Sequence, residues 1–174
     1  DLANVADLGD SPVNPASVED ALKRVEGFYT ALIAKGIRPL AAGGDHLCSL
    51  PALRAVGAKQ PVGMIHFDAH TDLYDGYFGG FKYTHGTPFR RAIEDGVLDP
   101  RRTIQIGLRG SMYDLDDFDY GAKMGVRLVR IGFATELLSD TTIPAALATM
   151  TPGERRVHEG RLAARLPTGE VRLQ

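Results

Sequence analysis

Four short apolar runs, at 37–42, 62–67, 103–108 and 126–131, are separated by segments in which apolar residues return every three or four positions. That alternation restricts the chain more than any other feature. Before the second run, Val18, Leu22, Val25, Tyr29, Leu32 and Ile33 mark one face of a helix. Ser17 with Asp20 three residues later resembles a capping box, and Gly36 stands where such a helix stops. Residues 50–56 read as a short helix that tolerates Pro51 in its first turn. Thr87-Pro88 opens a further helix closed at Gly96, and residues 115–124 form a weaker one. Strands alternating with helices, joined by short Gly-containing turns, predict right-handed βαβ units and a parallel sheet covered on both faces. The fold class is α/β. The opening ten residues read as a strand fragment and loop, residues 135–150 as a helix interrupted by Pro144, and a hairpin is expected about Pro167-Thr168-Gly169.

At 174 residues the chain has the length of one domain with a real core. Seven Phe, six Tyr and 44% hydrophobic residues exclude a disordered or collagen-like chain. A net charge of −2 gives no basic footprint for nucleic acid and no attraction to an anionic membrane. Cys48 stands alone, so no internal disulfide forms, which favours a reducing compartment. With no membrane-length apolar stretch and no signal-peptide pattern at the start, the expectation is a soluble, cytoplasmic protein.

The chemistry concentrates after the 62–67 run, in Asp68-Ala69-His70-Thr71-Asp72. In extended backbone alternate side chains share a face, so Asp68, His70 and Asp72 can converge. The carboxyl end of a parallel strand is also where open α/β sheets place ligands. Two carboxylates and an imidazole suit a divalent cation such as Mn²⁺ better than a thiophilic one. An isolated motif of this kind is as readily a polar loop whose Asp residues cap the next element. The balance shifts with Gly43-Gly44-Asp45-His46, at the end of the preceding run, because it brings His46 to the same sheet edge. His85, in Tyr83-Thr84-His85-Gly86-Thr87-Pro88, is a candidate proton carrier at neutral pH. His66, inside the strand, reads as a satisfied core side chain, and His158 as a surface one.

These segments, GGDH, then IHFDAHTD, HGTPFRRAIEDG and IQIGLRGS, resemble the ureohydrolases, above all agmatinases and guanidinobutyrases, over roughly residues 5–130. The resemblance implies a three-layer αβα fold that holds two Mn²⁺ ions and hydrolyses a guanidino group to urea and an amine. It implies His46, Asp68 and Asp72 as ligands of one ion, with Asp68 bridging, and His70 as a ligand of the second. It implies His85 as the histidine of proton transfer or substrate orientation. Bulky Tyr74, Phe81 and Tyr83 stand where arginases resembling this family carry small polar residues that hold an α-amino acid. Agmatine, giving putrescine, is therefore the preferred substrate, with guanidinobutyrate left open by Lys82 and Arg90.

The family's S-x-D-x-D-x-x-D-P pattern and its downstream Glu are not found after Ile131. The acidic group Asp114, Asp116, Asp117 and Asp119 reads as a solvated helix start. The expected organisation is a partial ureohydrolase domain over 1–131 and a divergent tail over 132–174. With Asp68 and Asp72 the only carboxylates among the ligands to balance two dications, at most one ion bound with useful affinity and weak or absent turnover by this chain alone are expected. The expected partners are a small guanidino substrate and further copies of the chain, with neither nucleic acid nor membrane. The alternative is a catalytically inactive remnant that holds one metal or docks on a partner.

Overall fold

The computed structural model describes residues 5–109 and 116–130. Three parallel strands form one sheet in the order β1 (Val62–Phe67), β2 (Leu98–Leu108), β3 (Arg127–Arg130). Among the described residues there are four α-helices, α1 (Val18–Ala34), α2 (Ser49–Gly57), α3 (Pro88–Glu94) and α4 (Asp116–Met124), with α1 packed on α2. A single 3-10 turn, His46–Cys48, leads into α2. The α/β class with a parallel sheet and intervening helices is as expected. Among the described residues no helix is long and apolar enough to cross a membrane.

Local chemistry sets the element boundaries. The Ser17 hydroxyl accepts from the Asp20 amide at 3.2 Å, while the Asp20 carboxylate turns to Asn14 Nδ2 and Arg24 Nε, both at 2.7 Å. The cap is thus one-sided rather than a reciprocal box. Helix α3 ends at Gly96, φ 71°, where Val97 N donates to Ala92 O and Gly96 N to Ile93 O, each at 3.0 Å. A left-handed residue is required there, which Gly adopts without a Cβ clash, and the closed turn feeds the chain directly into β2. Thr87 does not cap α3 with its side chain. Its hydroxyl instead accepts from Thr84 N at 3.0 Å and donates to Lys82 O at 2.7 Å, closing the loop that carries His85.

Leu22 of α1, Leu50 of α2, Phe89, Ala92 and Ile93 of α3, and Leu98 of β2 meet in one core with Leu47, Leu73 and Val126. Burial of the Leu, Ile, Val and Phe side chains contributes about 1.5–3 kcal/mol each and fixes how the helices sit on the sheet. The Gly57–Val97 contact is its tightest joint. A Cβ added at Gly57 would lie 2.3 Å from Val97 O, the carbonyl that accepts from Val62 N at the start of β1. Gly57→Ala should therefore destabilise the fold by about 2 kcal/mol through overpacking against backbone. Urea denaturation checks this, and an unchanged midpoint would show that α2 can shift away freely.

Two expectations need correction. Residues 37–42 are not a strand: Leu40 is 76% exposed and no ladder forms there among the described residues. Pro39 lies in the middle of the run and removes a backbone donor, and apolar composition alone cannot make a strand without a paired neighbour. Residues 5–10 likewise carry no regular structure. The helix expected over 135–150, the hairpin about Pro167 and His158 lie outside the described residues.

Candidate metal centre

At the carboxyl end of β1 the Asp68 amide donates to Ile106 O at 3.1 Å, and Arg109 N donates to Ala69 O at 3.0 Å. The first residues of DAHTD are therefore tied to the end of β2. The chain then bends tightly. The His70 amide donates to Asp68 Oδ1 at 2.9 Å, and Asp72 adopts φ 53°, a left-handed conformation that Asp tolerates better than most side chains. This turn buries Asp72 against the start of α3, where its carbonyl accepts from Phe89 N at 3.3 Å.

His46 arrives from the other side. Asp45 caps the 3-10 turn, its carboxylate accepting from Leu47 N at 2.8 Å, which leaves the His46 ring free to face the strand ends. The capping role and the site role thus fall on neighbouring residues. His46 Nδ1 lies 2.5 Å from Asp72 Oδ2 and 3.9 Å from Asp68 Oδ2. Beneath it the His66 ring packs with centroids 5.2 Å apart, and the Phe89 ring meets both imidazoles edge-on at 5.2 and 4.6 Å.

Donor atoms of His46, His66, Asp68 and Asp72 all lie within 4.8 Å of one another. A cation with ligand distances of about 2.0–2.6 Å spans donors up to roughly twice that distance apart, so the group has the size of one ion. Its mix of imidazole nitrogen and carboxylate oxygen suits a divalent ion such as Mn²⁺. Three of the four sequence-predicted ligands, His46, Asp68 and Asp72, therefore converge. His70 stands apart from this tight group, half-exposed, with Nδ1 3.6 Å from Asp68 Oδ1. Asp68 is thereby placed between two imidazole sets, His46 and His66 on Oδ2 and His70 on Oδ1.

The electrostatics follow from these contacts. The hydrogen bond to Asp72 raises the pKa of His46 above its usual 6.5, outweighing burial. Burial pulls the Asp68 carboxyl upward, but the His70 amide and the neighbouring His66 and His46 rings outweigh it and keep the group below the ordinary carboxylate value. Burial, reinforced by His46, drives His66 down to about 4, so its ring is neutral near pH 7.

Sequence reasoning missed His66 and its partner. His66 is buried, as expected of a core residue, but it is not satisfied: Nε2 has no hydrogen-bond partner and lies 3.6 Å from Asp68 Oδ2. The signal was present, since His66 and Asp68 are two residues apart on a strand and share a face. Gln105 of β2, fully buried, pairs in register with His66 and bonds to its Nδ1 at 3.2 Å. Nothing in the TIQIGL pattern marks it as other than a polar interruption. His85 is exposed, its ring edge-on to Tyr77 at 5.2 Å and Phe78 at 6.0 Å in the aromatic loop after Asp72.

A parallel sheet end that gathers imidazoles and carboxylates in this way is able to hold a metal ion. The family model for arginases matches residues 1–159, and the chain belongs to the arginase family. It is 52% identical over 153 residues to a guanidinopropionase of Pseudomonas aeruginosa, covering 88% of this chain and 48% of that protein. A mitochondrial agmatinase of Gallus gallus is 45% identical over 126 residues, covering 72% of this chain and 37% of that protein. The solved proclavaminate amidino hydrolase from Streptomyces clavuligerus superimposes with a TM-score of 0.65 at 32% identity, over 80% of this chain and 49% of that one. The described sheet and its helices are thus part of the three-layer αβα ureohydrolase fold, and the chain spans about half the length of the relatives it matches.

Proposed function

We propose that this chain carries a manganese site for hydrolysis of a guanidino compound to urea and an amine, with His46, Asp68 and Asp72 holding the ion. The observation that carries this reading is the convergence of those three side chains, with His66, within 4.8 Å at the carboxyl end of β1. A divalent cation held there would polarise a water for attack on the electron-poor guanidinium carbon. The chain's own residues prepare that chemistry. Asp68 is held below the ordinary carboxylate pKa and its Oδ1 accepts from the His70 amide, so a charged and oriented carboxylate would meet a cation held there. His70, on the opposite oxygen of Asp68, would serve a second ion. His85, exposed in the aromatic loop, is assigned the relay of a proton to the leaving amine.

Within the guanidino compounds, the 52% likeness to a guanidinopropionase favours a short ω-guanidino acid over agmatine, the substrate preferred from the bulky loop residues. The two differ at the end remote from the guanidinium, where one bears a carboxylate and the other an ammonium. Urea release is measured with added Mn²⁺ from 3-guanidinopropionate, 4-guanidinobutyrate and agmatine. Release from a guanidino acid at least about tenfold faster than from agmatine is expected, and the reverse order restores agmatine. No release from folded, Mn²⁺-loaded chain on any of the three would leave the inactive-remnant reading.

A further inference from the structure

Four donors surround the candidate metal position, but they are not equivalent. The difference lies in a buried hydrogen-bond chain from β2. Gln105 Nε2 donates to the Thr71 carbonyl at 2.6 Å, and a carbonyl oxygen can only accept, so the orientation of the amide is determined. The alternative orientation would set Oε1 against that carbonyl and leave the NH₂ group without an acceptor. In the orientation present, Oε1 is the unpartnered atom, and an orphaned acceptor costs less than an orphaned donor. The second hydrogen of the same NH₂ group points at His66 Nδ1, 3.2 Å away. An NH₂ group cannot accept, so Nδ1 must supply the lone pair, and the proton of the neutral ring sits on Nε2. That nitrogen is the one that faces Asp68 Oδ2 at 3.6 Å, with no other partner.

We infer that His66 is a positioning residue rather than a metal ligand: Gln105 holds its ring in the Nε2–H tautomer, and that hydrogen is directed at Asp68 Oδ2. A protonated nitrogen has no lone pair for a cation. What it can do is hold the Asp68 carboxylate in one rotamer from below, while the His70 amide holds Oδ1. The Thr71 carbonyl anchors the same chain to the turn that carries Asp72, so one buried glutamine links both carboxylates to β2. Partners beyond the ligands themselves commonly tune metal affinity by about 10–100-fold.

This inference rests on the metal-site reading above, and the experiments separate the two. In the metal-free full chain, ¹⁵N NMR of the His66 ring should show Nδ1 unprotonated and Nε2 protonated; the opposite tautomer overturns the inference without any variant. Mn²⁺ titration with His66→Phe, which keeps a ring against Phe89, should retain the ion count of the unmodified chain with affinity about tenfold weaker. His66→Gln, which restores an N–H donor, should recover most of that loss. Nitrogen couplings of bound Mn²⁺ in spin-echo spectra should be the same in the unmodified chain and in His66→Phe. Loss of an ion or of a nitrogen coupling in His66→Phe would make His66 a ligand, and an affinity within about twofold would remove its role; either overturns the inference. Failure of the proposed function reads differently, as no Mn²⁺ bound by the unmodified chain.

Discussion

Asp72→Asn is expected to weaken Mn²⁺ binding by at least about 100-fold in a chain that still folds, with some stability lost along with the His46 contact. Asn is the right replacement because Asp72 sits at φ 53°, a conformation that Asn also adopts readily, so the backbone is not the variable. The carboxylate is buried and its Oδ2 lies 2.5 Å from His46 Nδ1. In the absence of the ion that contact occupies both groups. Binding must exchange it for two bonds to the cation, and His46 must give up the proton that Asp72 stabilises. Removing the charge therefore takes away a ligand and half of the carboxylate charge in the tight group, a larger loss than that of an outer partner. The measurement is a Mn²⁺ titration followed by the free-ion electron paramagnetic signal. An affinity within a few-fold of the unmodified chain would place the ion away from Asp72.

The second large effect is a pH dependence of stability. His66 has its pKa lowered from 6.5 to about 4 in the folded chain, mainly by burial. Between those values the unfolded chain takes up a proton at this position and the folded chain does not. The contribution is therefore present above about 6.5 and is lost progressively as the pH falls toward 4. At about 1.4 kcal/mol per pKa unit, the loss is on the order of 3 kcal/mol for this buried ring. His46 acts in the opposite sense. Its pKa is raised by Asp72, so its contribution is present below 6.5 and is lost as the pH rises through its elevated folded value. Comparing urea midpoints of the metal-free chain with those of His66→Phe from about pH 7 to 4 isolates the His66 contribution together with its coupling to His46. The variant should show the flatter profile by about 3 kcal/mol over that range, and parallel profiles would mean that the buried ring accepts a proton without cost.

The two expectations meet in one physical arrangement. His66 and Phe89 form an aromatic floor beneath His46 and the two carboxylates, and its low polarity strengthens the charge interactions above it. Asp68 remains ionised there because hydrogen-bond donors and imidazoles compensate the burial. A metal held in the proposed site would be chosen by availability as well as affinity, because a mixed imidazole and carboxylate set discriminates poorly among divalent ions of similar size.

Much of this was legible in the residues themselves. The strand over 62–67 emerged with its observed limits, because a continuous apolar run bounded by Pro61 and Asp68 admits little else. Helix α1 was set by its periodic face, its Ser17 cap and Gly36, all local signals. DAHTD at a strand end and His46 in GGDH were sufficient to name three side chains that the fold brings together. What local pattern could not settle was which neighbours each segment would meet. The run at 37–42 is apolar enough for a strand, but Pro39 and the lack of a ladder leave it irregular and exposed. His66 reads as core from its own strand, and only the register of β1 with β2 sets Gln105 beside it and turns its second nitrogen toward Asp68. Short-range composition determined the elements and the candidate donors; tertiary pairing decided which donors come together and which of them meets a buried glutamine on the next strand. A ring's tautomer depends on the hydrogen bond made by its other nitrogen, and here that bond crosses between strands 39 residues apart.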